Sequence, residues 1–323
     1  MNGKVLKGSL FIALGACCYG LLGSFVKMAY RDGYTIAEVV LSQFGLGVAG
    51  LFVLTLFRNR KYGETQHKPG LKSKVRLIAA GTTLGLTSVF YYMSVRFVPV
   101  SVGIVLLMQA VWMGVVLEMI LQKRLPGARK IASALLVMAG TALATHVLRQ
   151  SAGINWTGLG WGMLAALSYT TTMYSSNHLE LHCPPLTRSF YMITGGFIII
   201  VLIFHSAIGA GFSYSIFWHW GLLVALFGTI LPPLLFTRGM PAAGLGLGAI
   251  ITALEIPVAV ITASWLLNET VKLSQWAGIA LILAAVVLMN YNIKKSFRRK
   301  GSKVVVSSPL LLADGLRYNR KEN

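Results

Sequence analysis

Glu255 is the foremost candidate for chemistry in this chain. It lies near the middle of an apolar stretch, where a charged side chain costs on the order of 2.5–3.5 kcal/mol by insertion scales. A carboxyl group there needs a cavity or a partner, and it is suited to taking up and releasing protons or holding a cation. The competing reading is a buried carboxyl satisfied by a neighbouring helix. Pro257 has no N–H and is expected to leave the carbonyl of Ala253 without its helical donor. At membrane depth such a break is tolerated only against protein or water. Thr252 and Thr262 fall on the same side at helical spacing and extend a polar stripe.

Gln109 occupies the matching depth in an earlier stretch, and its amide either bonds a ligand or bridges two helices. The stretch from Ser168 to His178 is rich in hydroxyls, many of which can bond their own helix. Tyr169, Thr172 and Ser176 share one face and suit a cavity wall, while Asn177 and His178 suit an interface. Tyr91, Tyr92 and Trp112 form either an aromatic wall for an apolar or cationic solute or ordinary packing. Arg96 and Arg238 sit at stretch ends as snorkelling groups or carboxylate ligands. Glu118 is expected to pair with Lys123 or Arg124. Gly158 with Gly162, and Gly244 with Gly248, have the spacing of close helix packing. Pro232-Pro233 predicts a kink.

Other chemistries lack their signatures. There is no HExxH, no G-x-S-x-G, no pair of carboxylates in one stretch and no phosphate-cradling glycine loop. Cys17, Cys18 and Cys183 show no metal-ligand spacing. Neither a cofactor nor a metal is expected, and the chain does not read as an enzyme.

What must position these residues is a set of membrane helices. The 323 residues are 55% hydrophobic and only 12% charged, with a mean hydropathy of +0.69; a soluble domain carries roughly 25% charged residues. Apolar stretches of about 20 residues fall near 8–28, 35–57, 76–97, 100–120, 129–148, 157–178, 188–208, 217–238, 242–266 and 274–293. The expected class is an all-α polytopic membrane protein with ten transmembrane helices. The net charge of +20 sits between the stretches rather than on a helix face, which excludes nucleic acid as a partner. With the N-terminus inside, 24 Lys and Arg fall on the cytoplasmic side and five on the other, so both termini read as cytoplasmic. Leu14-Gly15-Ala16-Cys17 looks like a lipoprotein cleavage box, but the apolar run continues to Phe25, so the segment is expected to stay as a span. Residues 294–323 form a basic tail, expected to be cytoplasmic and disordered.

The chain also repeats itself. Leu121 to Leu143 aligns with Leu267 to Met289 at an offset of 146, and Arg96-Phe97-Val98-Pro99 with Arg238-Gly239-Met240-Pro241 at 142. Gly8 and Tyr19 match Gly158 and Tyr169 at 150. Gln109 thereby becomes the counterpart of Glu255. Residues 1–150 and 151–293 read as two five-span repeats, and an odd span number turns the second upside down. Inverted repeats with a site at mid-depth between them are the architecture of many secondary transporters.

The second copy contains Leu254-Glu255-Ile256-Pro257, Leu266-Leu267-Asn268-Glu269 and Gln275-Trp276-Ala277-Gly278. With its paired five-span layout, the chain over about 8–293 resembles the EamA family of the drug/metabolite transporter superfamily. The first copy departs from the pattern, with Gln109-Ala110-Val111 and Lys123 where that family usually has a Pro-containing step and a Glu. The resemblance implies a multi-pass inner (plasma) membrane carrier that exports small metabolites or amino acids, often driven by protons. On that reading Glu255 titrates, Gln109, Tyr92, Trp112, Tyr169 and Thr172 line the cavity, and Pro257, Pro232 and Pro233 provide helix breaks for gating. The expected partners are a small-molecule substrate, protons and the lipid bilayer, with a homodimer compatible. The rival on the same fold is a lipid-linked-sugar or nucleotide-sugar flippase, which calls for basic clustering at the cavity mouth, where Arg96, Arg188 and Arg238 are candidates.

Overall fold

The computed structural model describes residues 3–62, 69–98, 100–144, 155–209, 211–267 and 271–301. Among them the chain is all helical, without strands. The first half comprises α1 (Gly3–Arg31), α2 (Ile36–Tyr62), α3 (Leu71–Val95), α4 (Val100–Leu107), α5 (Ala110–Gln122) and α6 (Ala128–Ala144). The second comprises α7 (Trp156–His178), α8 (Pro185–Phe204), α9 (Gly221–Ala225), α10 (Leu231–Ala243), α11 (Leu245–Thr252), α12 (Glu255–Leu267) and α13 (Leu273–Gly301). Among the described residues six segments are long and apolar enough to cross a bilayer: Gly3–Arg31, Ile36–Arg58, Gly103–Gln122, Pro185–Ala207, Gly221–Ala243 and Leu245–Leu266. The polar side chains of α7 turn inward, with Ser168, Thr170, Thr172, Ser175 and Ser176 all buried.

The packing has a two-fold pattern. Helix α3 packs on α8, and the equivalent α2 packs on α9. The pair α1·α10 has its counterpart in α3·α7, α1·α12 in α5·α7, and α1·α11 in α4·α7. The pairs α2·α8 and α6·α13 are their own counterparts, and α5·α11 joins the two broken segments. This is the contact pattern of an isologous dimer, in which each surface meets its own equivalent. Single residues follow it. Gly8 lies against the Gly239 carbonyl and Ala242, while its repeat match Gly158 lies against Phe97 and Val98. Neither half closes a core of its own.

Three expectations change. Gly244 is not a packing glycine inside a span: it occupies the turn between α10 and α11 at φ +87°, a left-handed conformation that side chains with a Cβ rarely adopt. The basic tail is helical at its start, because α13 runs on to Gly301 through lysines and arginines of good helix propensity. The Pro232-Pro233 kink is carried by a π turn at Leu226–Ile230. Both prolines then fall in the first turn of α10, where a missing N–H costs least. The motif residues Asn268 and Glu269, with Arg149 and Pro99, lie outside the described residues.

The tightest approach joins α3 to α8. A Cβ on Gly81 would collide with the Met192 carbonyl, and one on Gly195 with the Ile78 carbonyl. Small residues allow this approach in membranes, where packing rather than the hydrophobic effect joins helices. Gly195→Ala is therefore expected to lower the thermal midpoint of the purified protein, in line with an overpacking cost of about 1–3 kcal/mol. Gly23→Ala, with nothing within 4 Å of the new Cβ, should leave it unchanged or slightly higher.

Candidate functional site

The site forms where helices open. In the second half α11 stops at Thr252 and α12 starts at Glu255. Across the gap the N–H groups of Ala253 and Leu254 donate three residues back, to Ile250 and Ile251, at 3.3 and 3.1 Å. The Ala253 carbonyl, expected to be orphaned by Pro257, instead accepts from the Ile256 N–H at 3.2 Å. The chain tightens into a short turn and keeps this carbonyl satisfied. Helix α1 reaches the break through Gly20, where a Cβ would lie 2.6 Å from the Glu255 carbonyl.

The carboxyl group of Glu255 makes no hydrogen bond and no ion pair among the described residues. Its electrostatic neighbours are the phenols of Tyr19, Tyr91 and Tyr169, from α1, α3 and α7. Glu255, Tyr19, Tyr91 and Tyr92 are half-buried. The rings of Tyr19 and Tyr169 meet edge to face at 6.5 Å, and Tyr19 meets Phe236 at 5.7 Å. The buried Tyr169 hydroxyl lies beside the Thr252 hydroxyl. Tyr91 lies beside Tyr92, with ring centroids 5.9 Å apart, and the buried hydroxyl of Tyr30 adjoins both. A lone carboxyl among aromatic rings and phenol hydroxyls can hold a proton, or a cation against the ring faces.

The first half opens at the same place. Helix α4 ends at Leu107 and α5 begins at Ala110, within a residue of the other break at the repeat offset. The Gln109 N–H donates to Leu106 at 3.0 Å, which forsakes the Val105 carbonyl four residues back. The Gln109 side chain then donates to that Val105 carbonyl at 3.0 Å. Its Oε1 accepts from the Trp112 indole at 2.8 Å. Trp112 points outward and is exposed. Gln109 and Trp112 thus serve each other and their own helix.

The remaining candidates divide. Thr172 is buried and bonds Thr83 of α3 at 2.8 Å, while Ser168 donates to the Thr83 carbonyl at 2.7 Å. Thr172 therefore sits in the α3·α7 seam. Thr252 donates to its own helix at Ala249, and Thr262 is bonded across to Ser24 of α1 at 3.1 Å. Asn177 is buried and donates to the Met240 carbonyl at 2.8 Å. Glu118 pairs with Lys130 at 2.5 Å and with Gln122 at 3.1 Å, not with Lys123 or Arg124; α6 brings Lys130 back over α5, while Lys123 turns away at φ +50°. Arg188 and Arg238 meet Lys7 at a cavity described below, and Arg96 stays exposed at the end of α3. Tyr19 emerges as a site residue whose only signal in the sequence was its repeat match to Tyr169.

The EamA-like transporter family matches residues 6–145 and 156–291, one repeat in each half. The chain belongs to this family. It is thereby a member of the drug/metabolite transporter superfamily and a multi-pass membrane protein. Among solved structures it resembles one described only as "Crystal structure of protein", at 14% identity and a TM-score of 0.70, covering 90% of this chain and 99% of that one; this likeness shows the fold alone. No curated protein matches the chain.

Between the helices, Glu180 in the α7–α8 turn accepts from Arg76 at 3.5 Å and faces His182 at 3.3 Å. The Ser73 hydroxyl, then Arg76 and His182, hold its carboxyl below the ordinary 4.5. A depressed folded value stabilises the fold above the unfolded value and is lost as pH falls through the folded one. The stability difference between wild type and Glu180→Gln, read as a thermal midpoint, is therefore expected to hold near neutral pH and to shrink below about pH 4.5. Gln109→Leu uncovers the Val105 carbonyl and should cost about 1–3 kcal/mol, against about 0.5–1.5 kcal/mol for Trp112→Phe, which gives up one hydrogen bond.

Proposed function

We propose that the chain is a secondary active transporter that exports a small metabolite or amino acid by alternating access, driven by proton entry, with Glu255 as the proton carrier. The observation that supports this best is the unpartnered carboxyl of Glu255, at a helix break, among tyrosines contributed by three other helices. A structural carboxyl would have found a donor. One that works must be left free for a proton or a ligand.

On this reading α4–α5 and α11–α12 each cross once, which gives ten crossings with both termini cytoplasmic in the inner membrane. The gathering of Lys7, Arg188 and Arg238 at one cavity supports that topology, since the Lys/Arg asymmetry assigns all three to the same side. Tyr19, Tyr91, Tyr92 and Tyr169 supply ring faces and hydroxyls for the solute. The two breaks and the π turn before Pro232 allow segments to pivot without opening whole helices, as discontinuous helices do around a mid-depth site.

A thermal-shift screen across amino acids, nucleosides and cationic drugs selects the solute. In proteoliposomes with an imposed pH gradient, Glu255→Gln is expected to abolish driven uptake of that solute while staying folded and inserted. Uptake like that of the wild type would remove the proton role. Labelling that placed the two ends of the chain on opposite sides of the membrane would overturn the topology.

A further inference from the structure

At one end of the molecule, away from the tyrosine group, a cavity of about 490 Å³ is lined by Lys7 of α1, Arg188 of α8 and Arg238 of α10. Lys7 lies 12 residues before Tyr19 on α1, so the cavity is about 18 Å along the helix from the candidate transport site. No carboxylate lines it. Arg188 is 2% exposed and among the largest side chains the fold buries. Its two terminal nitrogens donate to the carbonyls of Thr237 at 2.9 Å and Ser176 at 2.6 Å, while Nε is buried without an acceptor. Among the described residues it has no ion pair. Arg238 is exposed and lies over the Phe11 ring at 5.8 Å, and Lys7 is exposed beside it. The 20-residue helix α8 also begins here, at Pro185, and adds the positive end of its dipole.

An uncompensated guanidinium inside protein is costly, and the usual remedy is a charged partner with hydrogen bonds to spare. The protein supplies acceptors for two nitrogens of Arg188 but no negative charge. We propose that this cavity is an anion site, and that it takes a phosphate group, free or as the headgroup of an anionic lipid. Arg188 forms its floor, and Lys7 and Arg238 close over the anion from the rim. Phosphate fits because its several oxygens satisfy a planar donor and two mobile cations together. Basic pockets between membrane helices are also where lipid phosphates bind. The site goes beyond the transport reading and does not depend on Glu255.

The test uses the full chain with two probes. Inorganic phosphate is titrated into protein in neutral detergent, against sodium chloride at matched ionic strength. Phosphatidylglycerol is titrated into phosphatidylcholine nanodiscs holding the same protein. The expected result is a raised thermal midpoint with at least one probe and none with chloride. Phosphate alone identifies a soluble anion; phosphatidylglycerol alone identifies a headgroup. Because Arg188 is part of the fold, the variant is Lys7→Gln with Arg238→Gln, both at exposed positions, which should weaken binding about tenfold or more. Glu255→Gln should bind as the wild type does, so a failed proton role leaves this result readable. Silence with both probes, an equal shift with chloride, or undiminished binding by the double variant overturns the site.

Discussion

Inside a bilayer a backbone amide or carbonyl has no water to turn to, so a membrane helix can open only where the chain provides the missing partners. The architecture of this protein depends on two such openings, and it closes their accounts differently. At Ala253–Leu254 the backbone does so, by shortening its hydrogen bonds from four residues to three. At Met108–Gln109 the side chain of Gln109 replaces the donor that its own backbone withdraws from Val105. In the first case the polar side chain at the break stays free. In the second it is consumed.

This difference breaks an otherwise symmetric design. The pairings α3·α8 with α2·α9, and α1·α10 with α3·α7, repeat across the halves, and the repeat-related Tyr19 and Tyr169 meet at 6.5 Å. Two-fold packing brings equivalent positions together near its axis, so a duplicated helix break puts two polar residues at matched depth. One is spent on its own helix, and the other makes no hydrogen bond among the described residues. A single carboxyl there avoids the like-charge repulsion that a matched pair would impose on each other.

How much of this was legible depended on whether a signal was local. Helix positions followed from apolar runs, and the halves from Arg96/Arg238 and Gly8/Gly158, because duplication leaves a trace in sequence. The break at Pro257 was visible because proline lacks a donor; the one at Gln109 was not, since neither proline nor glycine marks it and only the bond to Val105 reveals it. Glu255 stood out by its charge in apolar surroundings, whereas its company did not. Tyr91 and Tyr169 were singled out separately, and Tyr19 only as a repeat match, since their meeting depends on how α1, α3 and α7 cross. Thr172 went to a helix seam for the same reason: a hydroxyl on a helix face suits a cavity or a neighbouring threonine equally well. Glu118 found Lys130 across a turn rather than the nearer Lys123, because a left-handed residue turns the chain at that point.

Packing also limits which parts can move. Arg188 of α8 is bonded to carbonyls of α7 and α10, and Ser189 shares a hydrogen bond with Thr237 at 2.9 Å. Three helices are thereby joined at one end, where separating them would strand a buried charge. Farther along, α8 is pressed to α3 at Gly81 and Gly195 with no room for a methyl group. The contacts around Glu255 are of another kind: aromatic edges, an accessible carboxyl and a helix start held by a three-residue turn. Rearranging them exposes no unsatisfied charge and breaks few directional bonds. The buried guanidinium and the α3·α8 approach thus tie α3, α7, α8 and α10 together at places other than Glu255, whose own close approach is to Gly20 of α1.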